Sequence, residues 1–150
     1  MAAPFVHELR VRYGECDPQG IVFNANYLSY FDVAFTELWR EAVGPWQGLV
    51  ERGIDAVVAH AELDFRAPAR FDDVLALTAR VVRLGETSLT TEIDAVRDGE
   101  LLVAMQLRHV CVTAPTAKET IRAVPWPADI RAGLSRYVAE GEGDASPSRL

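Results

Sequence analysis

The sequence is short of the residues that usually announce a chemistry. Its 150 residues include two cysteines, three histidines and a single lysine. Cys16 and Cys111 are too few and too far apart for a disulfide framework or a zinc-ligand cluster, so the chain reads as a reduced, cytoplasmic protein. His7, His60 and His109 are scattered through strand-like segments and form no metal set. No apolar run approaches the ~20 residues that cross a bilayer, which excludes a spanning helix. The start, Met1-Ala2-Ala3-Pro4-Phe5-Val6-His7-Glu8, lacks the basic opening and apolar stretch of a secretory signal. Positive charge is also thin. Lys118 and 14 scattered Arg stand against 22 Asp and Glu, a formal charge of −7. That balance argues against nucleic acid as the main partner, which would require clustered cations. It keeps the chain soluble, and any anionic ligand must be held by a local patch against the global field.

What is present is an ordinary globular composition, 49% hydrophobic and 25% charged. A chain of this length buries roughly 70% of its unfolded surface, enough for one self-sufficient core. Val6 to Tyr13 alternates weakly between apolar and polar, as a half-buried strand does. A loop from Gly14 to Gly20 carries Glu15, Asp17 and Pro18. From about Asn24 to Val43 the period changes. Tyr27, Phe31, Ala34, Leu38 and Ala42 recur at three- and four-residue steps, and Tyr30, Val33 and Phe35 widen the apolar face. Gly44-Pro45 ends this helix, and a short helical turn follows around Trp46 to Arg52.

Beyond it the pattern is mostly strand. Ala61, Leu63 and Phe65 alternate with His60, Glu62, Asp64 and Arg66. Val74–Leu84, Thr87–Val96 and Leu101–Thr113 are long β-rich runs separated by Gly85-Glu86 and the hairpin signal Asp98-Gly99. Pro125 to Val138 suits a final helix. The domain is expected over 1–138, with a polar, disordered tail over 139–150. Consecutive hairpins give an antiparallel sheet whose apolar face needs a cover, and the long helix is the available one. The expected class is therefore α+β, an antiparallel sheet wrapped around a central helix. Long exposed edges invite a second copy, so a symmetric dimer is expected.

The chemistry concentrates between Arg12 and Tyr27. Asp17 sits on a loop just before a helix start, with Gly20 three residues on. Free N–H groups in a helix's first turn carry partial positive charge and can stabilise an oxyanion on an attacked carbonyl. A nearby carboxylate can act as general base or nucleophile. Together they make a minimal acyl-transfer site, although Asp before Pro is also ordinary turn chemistry. Cys16 precedes this Asp with no His near it in sequence, so a thiol nucleophile is not supported.

The run Asp17-Pro18-Gln19-Gly20-Ile21-Val22-Phe23, with Asn26-Tyr27 and Asp32, resembles the signature of hotdog-fold acyl-CoA thioesterases. The group is that of 4-hydroxybenzoyl-CoA thioesterase and the YbgC-like enzymes. Glu51-Arg52-Gly53-Ile54 and Ala67-Pro68-Ala69-Arg70-Phe71-Asp72-Asp73-Val74-Leu75 are similar to the same group's second helix and the turn before its long strands. The likeness covers roughly residues 5 to 130.

The resemblance implies the sheet-around-helix fold already reached from periodicity. It implies hydrolysis of an acyl-CoA, or of an acyl thioester on a carrier protein, by a homodimer or dimer of dimers. No cofactor is implied beyond the coenzyme A of the substrate. By this likeness Asp17 is the catalytic carboxylate, the Asn24 backbone is the oxyanion donor, and Gly20 lets the helix start come close. Asp32 is a candidate for shaping the acyl end of the pocket, with Tyr27 and Trp46 as further lining. Two departures stand out. Many members have His, and some Tyr, where this chain has Asn24, which donates a hydrogen bond but shuttles no proton. The turn Arg83-Leu84-Gly85-Glu86-Thr87-Ser88, where relatives place cations for coenzyme A, has one Arg and an opposing Glu. Ser88 and Arg122 are then the substrate-side candidates.

Two rival functions are a hotdog dehydratase or hydratase and a non-catalytic thioester-binding module. The first needs a loop His, and none lies between His7 and His60. The second is opposed by Asp17 and favoured by Asn24 and the thin basic patch.

Overall fold

The computed structural model describes residues 4–114 and 120–139. The polar tail expected from 139 lies outside the described residues from 140 onward. Five strands form one antiparallel sheet in the order β1-β3-β4-β5-β2. They are β1 (Phe5–Arg10), β2 (Ile54–Phe65), β3 (Val74–Leu84), β4 (Ser88–Arg97) and β5 (Glu100–Thr113). The helices are α1 (Asn26–Ala42), α2 (Gln47–Glu51) and α3 (Ala128–Ser135). Among the described residues no helix is long and apolar enough to cross a membrane.

The period-2 pattern puts one face of β3, β4 and β5 inward: Leu75, Leu77 and Ala79, then Leu89, Thr91 and Ile93, then Met105, Leu107 and His109, all buried. Two-residue hairpin chemistry sets the β4–β5 register. Asp98 and Gly99 both adopt positive φ, 48° and 79°, which is the twist a tight hairpin needs. Helix α1 lies over this face, packed on β1 and β3, and buries Tyr27, Phe31, Ala34, Phe35, Leu38 and Trp39. Each buried aromatic or Leu of this stripe is worth roughly 1.5–3 kcal/mol, so α1 is held by its packing rather than by its caps. Its far end is closed by α3. A Cβ on Gly133 would sit 2.2 Å from the Ala42 carbonyl oxygen, and Arg136 Nη2 donates to that same oxygen at 2.9 Å.

Four details differ from the sequence reading. Val33 is 40% exposed, because at 3.6 residues per turn it lies about 200° round from Phe31. Helix α1 begins at Asn26 rather than Asn24, since Asn26 and Tyr27 N–H are already used on Phe23 and Asn24 carbonyls, 2.9 and 3.3 Å. Strand β1 ends at Arg10, and Tyr13–Glu15 form a single 3-10 turn. Strand β2 starts seven residues before Ala61 and does not bury the face expected of it. It is an edge strand with a bulge between Val58 and His60, and Val58 and Phe65 are 52% and 54% exposed.

One buried residue makes acid sensitivity calculable. His109 stacks on Phe35 with ring centroids 3.9 Å apart, and its Nδ1 has no hydrogen-bond partner among the described residues. Burial lowers its pKa from 6.5 to about 4. Between those values the unfolded chain holds the proton and the folded chain does not, so stability rises with pH across this window. On acidification from above pH 6.5 to pH 4 this residue should cost about 3 kcal/mol. Urea unfolding of the parent and His109→Phe at neutral and acid pH should show that loss only in the parent. An equal loss in both would assign it elsewhere.

Candidate active site

The loop before α1 is a small hairpin. Asp17 N–H donates to the Ile21 carbonyl at 2.8 Å and Gly20 N–H to the Asp17 carbonyl at 2.9 Å. Cys16 bridges Val22 across it, and Phe23 N–H donates to the Glu15 carbonyl at 3.0 Å. Pro18 presets the φ needed at the first central position of the turn. Gly20 sits at φ +80°, a left-handed conformation that costs a residue with a Cβ roughly 1–2 kcal/mol. The returning arm is pinned to the β2–β3 connection: Val22 N–H donates to Ala69 carbonyl at 2.9 Å, and Ala69 N–H donates to the Tyr27 hydroxyl at 3.2 Å.

This arrangement opens a cleft of about 530 Å³ lined by Asp17, Gln19, Ile21, Val22, Asn24, Tyr27 and the segment Phe65, Arg66, Ala67, Pro68. Asp17 is half-buried. Its Oδ1 accepts the Gln19 N–H at 2.8 Å, and its Oδ2 has no hydrogen-bond partner among the described residues. Across the cleft, the backbone N–H groups of Asn24 and Ala25 have no acceptor among the described residues. They stand at the electropositive entry of α1. Tyr27 is buried and closes the floor, its ring edge-on to Phe65 at 5.7 Å. Burial pushes its phenol pKa up, so it stays protonated.

Glu15, two residues away, is a carboxylate in a different state. Its Oε1 accepts Arg12 N–H at 2.7 Å and the Tyr30 hydroxyl at 3.0 Å, while Oε2 accepts Arg12 Nη2 at 3.1 Å. Burial pushes its pKa up, but the hydrogen bonds from Arg12 and Tyr30 outweigh that and hold it below the ordinary range. Glu15 is saturated with donors; Asp17 keeps an oxygen free. Of the two neighbouring acids, Asp17 lines the cleft and Glu15 does not.

The candidate residues thus divide. Asp17, Asn24 and Tyr27 line one cleft, and Gly20 forms its turn. The other four lie elsewhere on the protomer. Asp32 is exposed on α1. Trp46 packs on Trp39 and Phe35, at 5.0 and 6.1 Å. The Ser88 carbonyl accepts Gly85 N–H at 2.8 Å and Trp126 Nε1 at 3.1 Å. Arg122 is exposed and pairs its backbone with Thr113. Gln19, Phe65 and Arg66 join the cleft although sequence reasoning did not single them out. Their signal was positional: a turn amide facing the acid, and the end of an edge strand running into Ala67-Pro68. Among the described residues no three His, Cys, Asp or Glu side chains gather as metal ligands.

Comparison with known proteins places the chain in a family. The sequence profile of the Thioesterase superfamily matches residues 19–104. The 4-hydroxybenzoyl-CoA thioesterase of Pseudomonas sp. (strain CBS-3) is 30% identical over 135 residues, spanning 86% of this chain and 96% of that protein. The acyl-CoA thioester hydrolase YbgC of Shigella flexneri is 30% identical over 118 residues, 78% of this chain and 87% of that protein. A crystal structure of a thioesterase-superfamily protein from Jannaschia sp. CCS1 superposes with a TM-score of 0.83 at 26% identity, covering 91% of this chain and 94% of that one. The class is therefore a hotdog-fold thioester hydrolase. The chain belongs to the Thioesterase superfamily.

Gly20→Ala tests the turn. It should lower stability by about 1 kcal/mol and lower the rate of thioester hydrolysis by more than that loss of folded protein explains, measured as thiol release per folded molecule.

Proposed function

We propose that the chain hydrolyses an acyl-CoA, or an acyl thioester on a carrier protein, to the free acid and thiol, with Asp17 as the reacting carboxylate. The observation that carries this reading is the pairing, in one cleft, of a free Asp17 oxygen with the unengaged Asn24 N–H at the start of α1. A thioester carbonyl laid between them has its oxygen toward that N–H and its carbon toward Asp17. As nucleophile, Asp17 Oδ2 forms a bond to the carbonyl carbon, the C–S bond breaks, and the thiolate leaves and takes a proton from water. Water then hydrolyses the anhydride and returns the free carboxylate. As general base, Asp17 takes a proton from water as the water oxygen adds to the carbon, the same C–S bond breaks, and the leaving thiolate takes that proton to give the thiol and the free Asp17 carboxylate. In both routes negative charge develops on the carbonyl oxygen, where a preorganised N–H stabilises it most.

The working form is a homodimer, or a dimer of dimers, with the acyl group near the subunit boundary. The long β2 edge supports this, since among the described residues no strand pairs with its outer side. Val57, Val58 and Phe65 are exposed along it, a combination that proteins normally cover. Phe65 belongs both to that edge and to the cleft. Asp32, Trp46, Ser88 and Arg122 meet substrate only through this assembly, with Arg122 the basic residue offered to a phosphate. Its setting is cytoplasmic. No metal takes part.

The test is thiol release from a panel of benzoyl, phenylacetyl and straight-chain CoA thioesters. Asp17→Asn should release thiol about a thousandfold more slowly while keeping the parental melting temperature, because a half-exposed loop carboxylate adds little burial. A near-parental rate in that variant would remove the mechanism. Binding without release would indicate a thioester-binding module, and consumption of an enoyl-CoA without thiol a hydratase. A chelator should leave the rate unchanged; inhibition reversed by added metal would contradict the assignment.

A further inference from the structure

We propose that Glu15, Asn26 and Tyr30 form a positioning clamp that fixes the Asp17 carboxylate relative to the Asn24 N–H, an inference that rests on the hydrolytic reading of that cleft. The two reacting groups sit on either arm of one hairpin. Asp17 is carried by its turn, and Asn24 follows directly on its returning arm. A hairpin this short has too few cross-strand bonds to hold its own shape, so its geometry must come from what it is fastened to.

Glu15 supplies that fastening at the hairpin's base. Its carbonyl oxygen accepts two donors, Phe23 N–H at 3.0 Å and Asn26 Nδ2 at 2.7 Å. The first closes the two arms on each other one residue before Asn24. The second ties the outgoing arm to the first residue of α1. Its carboxylate then accepts the Tyr30 hydroxyl from the next turn of the same helix, at 3.0 Å, and the Arg12 N–H behind the 3-10 turn, at 2.7 Å. Tyr30 is 2% exposed and stacks edge-on to the cleft residue Tyr27 at 5.8 Å, so the anchor is rigid. The outgoing arm, the returning arm and the helix therefore meet at one residue that does not itself line the cleft.

The protonation states suit a static tie. Burial and the Glu15 acceptor push the Tyr30 phenol pKa up, and Glu15 stays ionised below the ordinary carboxylate range. Neither group changes charge in the working range of a thioester hydrolase. Arg12 lies against Glu15 at 3.1 Å and offsets its charge. That keeps a second full anion from opposing negative charge developing near Asn24.

A clamp of this kind acts on rate more than on binding. A misplacement of about 1 Å between reacting groups can cost a hundredfold, and because a hydrogen bond to an ionised carboxylate such as Glu15 also contributes to folding, the rate is read per folded molecule. The experiment uses the parent chain and four variants, with kcat and KM for whichever acyl-CoA of the panel it turns over fastest, and melting temperatures for each. Tyr30→Phe removes one hydroxyl and preserves the ring packing; Asn26→Ala keeps a good helix former at the helix start. Each should lower kcat per folded molecule ten- to a hundredfold with KM within about twofold, and Tyr30→Phe should also lower the melting temperature by a few degrees. Glu15→Gln retains an acceptor for Tyr30 and should keep most of the rate that Glu15→Ala loses. Folded Tyr30→Phe and Asn26→Ala proteins with parental kcat would overturn the clamp, as would a change confined to KM, or Glu15→Gln as damaged as Glu15→Ala. Failure of the hydrolytic reading looks different: a parent chain that releases no thiol, or an Asp17→Asn variant that releases it at the parental rate, removes both the reading and the clamp.

Discussion

A backbone N–H can serve a reaction only while it is held away from other acceptors and kept within reach of a base. In this chain both conditions come from the way a short hairpin is fastened to the mouth of a buried helix. The first helical amides, Asn26 and Tyr27, are satisfied by carbonyls of the preceding turn, which leaves the amides just before them open. The hairpin turn places Asp17 in the same cleft as Asn24. The burial of α1 across the sheet is what makes this durable, because a helix with Phe31, Ala34 and Leu38 fully enclosed cannot tilt its first turn without disturbing the core.

The two carboxylates of the loop illustrate how environment separates residues of the same chemistry. Glu15 and Asp17 are two positions apart, yet one accepts three hydrogen bonds through its side chain and the other accepts one. The difference follows from direction. Glu15 turns toward α1 and Arg12, whereas Asp17 turns toward the open cleft between the loop and the end of β2. A similar separation holds for the sheet. The inward rows of β3, β4 and β5 are closed by helix, and the β2 edge, bulged and bearing exposed Val57 and Val58, is left uncovered by the described residues.

Much of this was legible in the sequence, for identifiable reasons. The long strands β3, β4 and β5 alternate cleanly because only one of their faces is buried, and Asp98-Gly99 marks a turn few other dipeptides can make. The stripe from Tyr27 to Ala42 announced a core helix, and the motif around Asp17 carried the family. Periodicity failed where geometry overrode it. Val33 is apolar but faces outward, and an apolar side chain on a helix does not by itself say which way it points. Strand β2 alternates but is a sheet edge, so alternation there reported pairing rather than burial. The donors on Glu15 come from Arg12, Tyr30 and the carbonyl partner Asn26, at three different separations along the chain, and no local pattern could have joined them. Likewise Phe65 and Arg66 reach the cleft from a segment forty residues beyond the motif, by a meeting that only the fold creates.

The position of β1 has a consequence for how the molecule comes apart. That strand closes the sheet by pairing Phe5 with Ala79 and Arg10 with Val74, although α1, α2 and β2 all intervene along the chain. The three hairpin-linked strands are near neighbours in sequence and need no such detour. Contacts that bridge long stretches of chain carry the larger closure entropy, and edge segments open at lower free energy than the middle of a sheet. The hairpin bearing Asp17 follows β1 through the single 3-10 turn Tyr13–Glu15. Opening at the β1 edge would therefore loosen one attachment of the proposed site while the central meander is still intact, so loss of turnover is expected to report such opening before loss of secondary structure.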